Sequence, residues 1–154
     1  MPHVRAQIRD AVKVLLTGLA TTGTRVHVGR TRQLGEAFEP TLLIYTRNVP
    51  ERSETHSLAA AATQHREFTL SIEGRVSAAN PPDETLDEIA SEIETALTPA
   101  GALPASLAAL LLIEVTLAET ASEVIAPGER HLGSIRLDYR IVYRTAEGAP
   151  DTAV

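Results

Sequence analysis

Apolar residues recur at three- and four-residue spacing from the start of the chain: Val4, Ile8, Val12, Leu15, Leu16 and Leu19 share one side. Arg5, Arg9, Asp10 and Lys13 occupy the other, which predicts an amphipathic helix over 2–20 that ends at Gly18 and Thr21-Thr22-Gly23. A short strand is expected over 24–28, with Val26 and Val28 on one face. After a polar loop over 29–40, Leu42, Leu43, Ile44 and Tyr45 form an almost unbroken apolar run over 41–46. Such a run suits a central strand covered on both faces. Residues 66–77 alternate, with Phe68, Leu70, Ile72 and Val76 against Glu67, Thr69, Ser71, Glu73 and Arg75, the pattern of a half-buried strand. Asn80-Pro81-Pro82-Asp83 reads as a helix start, Asn80 as the cap and Pro81 in the first turn. Leu86, Ile89, Ala90, Ile93 and Leu97 are the buried stripe of that second helix, which stops before Pro99. Pro104 opens a further short helical turn.

Two strands close the pattern. Over 110–119, Leu111, Ile113, Val115 and Leu117 are expected on one face. Ala126-Pro127-Gly128-Glu129 is a turn. Over 131–145, Ile135, Leu137, Tyr139, Ile141 and Tyr143 alternate with Arg136, Asp138, Arg140 and Arg144. The predicted order is α-β-β-β-α-β-β. This is an α+β fold with a mainly antiparallel (mixed) sheet and two helices packed on one face, forming a single domain over 1–154. Residues 47–63 show neither period and are expected to be a flexible loop, and 146–154 a frayed tail.

Composition narrows the chemistry. The chain has 154 residues, no cysteine, and aromatic residues make up only 3% of it, while 23 positions are alanine. Absence of cysteine excludes disulfides, thiolate zinc sites, iron–sulfur clusters and cysteine nucleophiles. The longest apolar run, 107–113, is too short for a membrane span. The charged first turns lack the small-residue cleavage site of a signal peptide. A net charge of −6 argues against tight nucleic-acid binding, which rests on cationic neutralisation of phosphate.

Candidate chemistry is sparse. His3, His27, His56, His65 and His131 show no metal-ligand spacing. Ser53 and His56 fall in one segment, but no nucleophile-elbow motif accompanies them. Asp83, Glu84, Asp87, Glu88, Glu92 and Glu94 lie opposite the buried stripe of the second helix and read as a solvated face. No catalytic residue, metal ligand or cofactor site is predicted. The candidates are instead protein-contact residues: Arg30 and Arg32 after the first strand, Arg47, Arg52 and Glu54 in the 47–63 segment, and Arg136, Asp138, Arg140 and Arg144 on the last strand. Arginine, at 13 positions against one lysine, is the cation enriched at protein interfaces.

Taken end to end, the segments resemble the tail terminator family of long-tailed bacteriophages, the minor tail proteins that close the tail tube. The resemblance lies in the opening helix from Val4 to Val12, in Val26-His27-Val28-Gly29-Arg30, and in Pro40-Thr41-Leu42-Leu43-Ile44-Tyr45-Thr46. It continues in Arg66-Glu67-Phe68-Thr69-Leu70-Ser71-Ile72-Glu73, in DETLDEIASEIETAL, and in Leu137-Asp138-Tyr139-Arg140-Ile141-Val142-Tyr143. It implies a non-enzymatic homohexameric ring at the head-proximal end of the virion tail, assembled in the host cytoplasm. Such a ring stops tube polymerisation and touches the tail tube protein and a head-completion or neck connector protein. DNA passes through it without specific binding, and no membrane is involved. On this reading, reversing Arg136 and Arg140 to Glu disturbs ring formation. The alternatives are another head–tail connector or tail-completion protein and, more distantly, a small cytosolic α+β enzyme or ligand-binding domain.

Overall fold

The computed structural model describes the chain except residues 30, 32, 33, 36, 48, 49, 59 and 60. Its first element, α1 (Val4–Leu16), starts two residues later than the pattern predicts, because His3 caps it: the His3 Nδ1 accepts the Arg5 N–H at 3.2 Å. The helix ends early because Gly18 turns into the left-handed region (φ 97°) and its N–H bonds to the Gly23 carbonyl. Val4, Ile8, Val12 and Leu16 are buried, as the spacing requires.

Next come β1 (Val26–Val28), β2 (Thr41–Thr46), β3 (Arg52–Leu58) and β4 (Ala61–Ala78). They are followed by α2 (Asp83–Leu97), a 3₁₀ turn (Pro99–Gly101) and α3 (Ala105–Ala108). The chain closes with β5 (Glu114–Ile125), β6 (His131–Ala146) and β7 (Ala149–Ala153). The strands form one mixed sheet, β1-β2-β4-β6-β5, parallel only between β1 and β2. The fold is α+β, with α1 and α2 on one face of the sheet.

The antiparallel pair β4–β6 is its spine, in register from Thr63 opposite Ala146 to Ala78 opposite His131. Along one edge of β4, β3 (on 61–67) and β2 (on 70–75) follow each other end to end. Along the outer edge of β6, β5 (on 132–142) and β7 (on 145–146) do the same. Even-numbered residues of β4 and odd-numbered residues of β6 face the helices. Phe68, Leu70, Ile72, Ile135, Leu137, Tyr139 and Ile141 meet Leu86, Ile89, Ile93 and Leu97 there. Two glycines let α2 come close. A Cβ on Gly133 would stand 2.7 Å from Pro82 Cγ, and one on Gly74 2.8 Å from Ile89 Cγ2.

Several expectations are corrected. The segment 47–63, expected as a loop, contains β3 and the start of β4, paired from Arg52 opposite Glu67 onward. It escapes the pattern because β3 lies beyond the helices and is polar on both faces. The tail expected to fray forms β7, since Gly148 (φ 77°) turns the chain back onto β6. Gln7 Nε2 then donates to the Asp151 carbonyl at 2.7 Å. Asn80 does not cap α2: Pro82 holds that position and no side chain caps the helix. Leu111 and Ile113 do not face the core. They precede β5 and are 55% and 49% exposed. A bulge between Leu117 and Glu119 then changes the phase, so that Thr120, Ser122 and Val124 follow Val115 and Leu117 on the helix side. Val28 is exposed although Val26 is buried.

Candidate functional site

Four of the nine predicted contact residues, Arg47, Arg136, Asp138 and Arg140, converge on the sheet face turned away from the helices. Alternation puts Glu67, Ser71, Glu73 and Arg75 of β4 there, with Arg136, Asp138 and Arg140 of β6 beside them. At the centre Asp138 is 2% exposed. Its carboxylate accepts hydrogen bonds from Ser71 Oγ (2.5 Å), Arg47 Nη1 (2.9 Å) and Arg136 Nε (3.1 Å). Glu119, across from Asp138 on β5, lies 3.4 Å from Arg136 and 3.9 Å from Arg47. The buried charge is thus compensated by three donors, two of them cationic, as burial demands, and Glu119 takes up part of the positive charge of the two arginines.

One step along β6, Arg140 bridges two strands. Its guanidinium donates to both Glu114 oxygens (2.7 and 2.8 Å) and to Glu67 (2.8 Å). The hydrogen bonds it donates to Glu67 and Glu114 raise the Arg140 pKa further, and Arg140 in turn holds the Glu67 carboxyl below the usual range. Toward β2, Glu73 accepts from Arg75 Nε (2.7 Å) and from the Tyr45 hydroxyl (2.8 Å).

The structure therefore brings Arg47, Arg136, Asp138 and Arg140 together, and it gives each a partner within the chain. Reversal of Arg136 and Arg140 attacks this sheet before it attacks any contact with a second molecule. Arg52 and Glu54 lie apart on exposed β3, where Glu54 approaches His56 Nε2 (3.7 Å) and His56 stacks obliquely on His65 with ring centroids 4.5 Å apart. Arg144 is exposed opposite His65. Arg30 and Arg32 lie outside the described residues.

A second cluster has no counterpart in the sequence reading. Glu51, just before β3, accepts from Arg5 Nη1 (3.0 Å), Arg66 Nη1 (3.1 Å) and the Tyr143 hydroxyl (3.3 Å). It ties the start of α1 to the root of the β3–β4 hairpin. His3 sits beside Arg66, and desolvation first, then the Arg5 charge, lowers its pKa. Burial also raises the Tyr143 pKa. Four residues far apart in the chain cannot announce such a cluster by spacing.

Ser53 and His56 are three residues apart in a strand and point to opposite faces, so they cannot act as nucleophile and base. Among the described residues no cluster of three or more His, Asp or Glu side chains is placed to hold a metal ion. No helix among them is long and apolar enough to cross a membrane. A cleft of about 340 Å³ lies between Leu34, Phe38, Arg75, Ile125 and Leu132, apolar on its floor and charged at its rim.

No protein-family model matches the chain, and no curated protein does. Among solved structures, a chain from the virion of a native gene transfer agent (GTA) particle is similar. It is 18% identical, the match covers 93% of this chain and 92% of that one, and the TM-score is 0.45.

Proposed function

We propose that the protein is a structural component of a phage-like virion, and specifically a terminator that caps the tail tube as a hexameric ring and presents the surface that joins the head. The observation that carries this reading is the placement of the segments behind the family resemblance. Val4–Leu16, Val26–Val28, Thr41–Thr46, 66–73 of β4, Asp83–Leu97 and 137–143 of β6 are the helix, strands, helix and strand that the resemblance implies, in that order.

The physics of the role fits the molecule. A tube grows because each ring offers the next a heterologous contact that never closes, so a terminator copies one complementary face and lacks the other. A chain with net charge −6 does not hold DNA phosphate as it passes. The ion pairs of the sheet face stiffen the subunit without using its arginines on nucleic acid.

The test is native mass spectrometry of the purified chain with a tube-end binding measurement. The expected species is six copies of 16.5 kDa, formed alone or on tube ends, that blocks further tube-subunit addition. A monomer under every condition, tubes present or absent, would overturn the proposal. A ring that binds a neck assembly and ignores tube ends would identify a connector instead.

A further inference from the structure

Outside the spine, the sheet still has edges open for pairing among the described residues. Among the described residues, β3 has a strand partner only on its β4 side and β5 only on its β6 side. An unpaired edge is a template for another strand. We infer that β3 of one copy adds, antiparallel, to the distal half of β5 (Glu119–Ile125) of a second copy of this chain. This rests on the ring reading and supplies its subunit contact.

Strand direction comes first. β4 runs opposite to β3 and β6, and β5 runs opposite to β6, so β3 and β5 are antiparallel within one subunit. Copies related by rotation about an axis that faces the sheet and is inclined to its strands bring β3 beside the neighbour's β5 in the antiparallel sense, helix faces aligned. No subunit has to flip, and the contact is heterologous, as a ring requires.

The side chains then select a register. On β3, Arg52, Glu54 and His56 share the ionic face, while Ser53 and Thr55 share the helix side. On distal β5, Glu119, Ala121 and Glu123 share the ionic face, while Thr120 and Ser122 share the helix side. Setting Arg52 opposite Glu123 puts His56 opposite Glu119, Glu54 opposite Ala121, Ser53 opposite Ser122 and Thr55 opposite Thr120. Opposite charges and hydroxyl pairs across strands are stabilising, and like charges directly opposed are not. Shifting by two residues either way keeps the faces but opposes Glu54 to Glu119 or Glu123. Among the described residues Arg52 and Glu123 make no ion pair or hydrogen bond; Arg52 stands opposite Glu67 and only helps to hold its carboxyl low, so its guanidinium can still pair across the seam. The bulge between Leu117 and Glu119 sets the distal stretch apart from the half of β5 beside α3.

Sterics favour the same register. β1 stands one strand farther out than β2, and in an unstaggered pairing it would collide with the neighbour's β5. The chosen register offsets copies by eight residues along β4, from Glu67 (opposite Arg52) to Arg75 (in line with Glu123 through Ser134). That displacement, about 27 Å at 3.4 Å per residue, carries β1 past Ile125. The strands of the assembly are then inclined to its axis, as stagger and inclination go together in closed sheets.

A chain without cysteine makes the test clean. Thr55→Cys and Thr120→Cys, both at exposed positions, are introduced singly and together into the full chain and treated with a short bismaleimide. Native mass is measured on the same samples, with and without assembled tubes. The expected result is a covalent ladder from the double variant and none from either single variant. Adding Arg52→Glu to the double variant lowers cross-linking about threefold to fivefold, and further adding Glu123→Arg restores it. Dimers from T55C alone or T120C alone would mean two-fold pairing of like edges and overturn the inference. So would a hexameric mass without a ladder, which leaves the ring reading standing; absence of both removes the ring as well.

Discussion

Asp138 concentrates the electrostatics of the subunit in one side chain. It is withdrawn from water on a face that the sequence pattern marks as polar, and its stability there depends on Ser71, Arg47 and Arg136. Asp138→Ala leaves two half-buried guanidiniums without their common partner and is expected to cost about 2–4 kcal/mol. The check is a lower denaturant midpoint at unchanged slope. Arg140→Glu sets three carboxylates in line across β4, β6 and β5, and should lower the melting midpoint by an amount that shrinks in high salt. His3 gives a pH signature. Its pKa lies below the ordinary 6.5 in the folded chain, so the unfolded chain binds the proton more readily. Its contribution is complete above about pH 6.5 and is lost as pH falls through the folded value. His3→Gln should flatten thermal stability between about pH 7.5 and 5.5 while leaving the loss below about pH 4.5, where Glu67 titrates, in place.

Among elements, the contact of α2 with the sheet is the tightest. Gly74 and Gly133 stand where a methyl group would meet Ile89 or Pro82 at under 3 Å, and the latter contact is with a rigid ring. Gly133→Ala is therefore expected to destabilise by about 1–3 kcal/mol, read from chemical denaturation. Strands that carry the core alternate, as in the 66–77 part of β4 and in β6, or form an apolar run, as in β2, and are legible from the pattern. β3 and β7 are not, because each is held mainly by backbone pairing and carries no run of apolar residues, β7 adding only Ala153 to the edge of the core. Deleting 147–154 tests this directly. A frayed tail predicts no change, whereas loss of β7 and of the Gln7–Asp151 contact should lower the unfolding free energy by roughly 1 kcal/mol, read from chemical denaturation.

For the whole molecule, the proposed function is a matter of surfaces. The ion-paired face engages Arg47, Arg136 and Arg140 within the subunit, and the open edges of β3 and β5 are left as the places where a second copy can add. If the working unit is an oligomer, its thermal midpoint should rise with protein concentration, as mass action requires, and a concentration-independent midpoint would mark a monomer. Of the candidate contact residues, the alternation on β6 correctly put Arg136, Asp138, Arg140 and Arg144 on one face. That three of these are engaged within the subunit depended on Arg47, Glu67, Glu114 and Glu119, residues brought close only by strand pairing.

Local periodicity by itself determined the two amphipathic helices, the core strands and the α+β class, because burial on one side leaves its mark at fixed spacing, while composition excluded thiol chemistry. Tertiary structure decided the pairing order, the parallel β1–β2 contact, the bulge in β5, the polar strand β3 and the long-range partners of the charged side chains. Those features arise from which backbone edges meet, and a contact between residues 15 to 144 positions apart leaves no period in the chain that makes it.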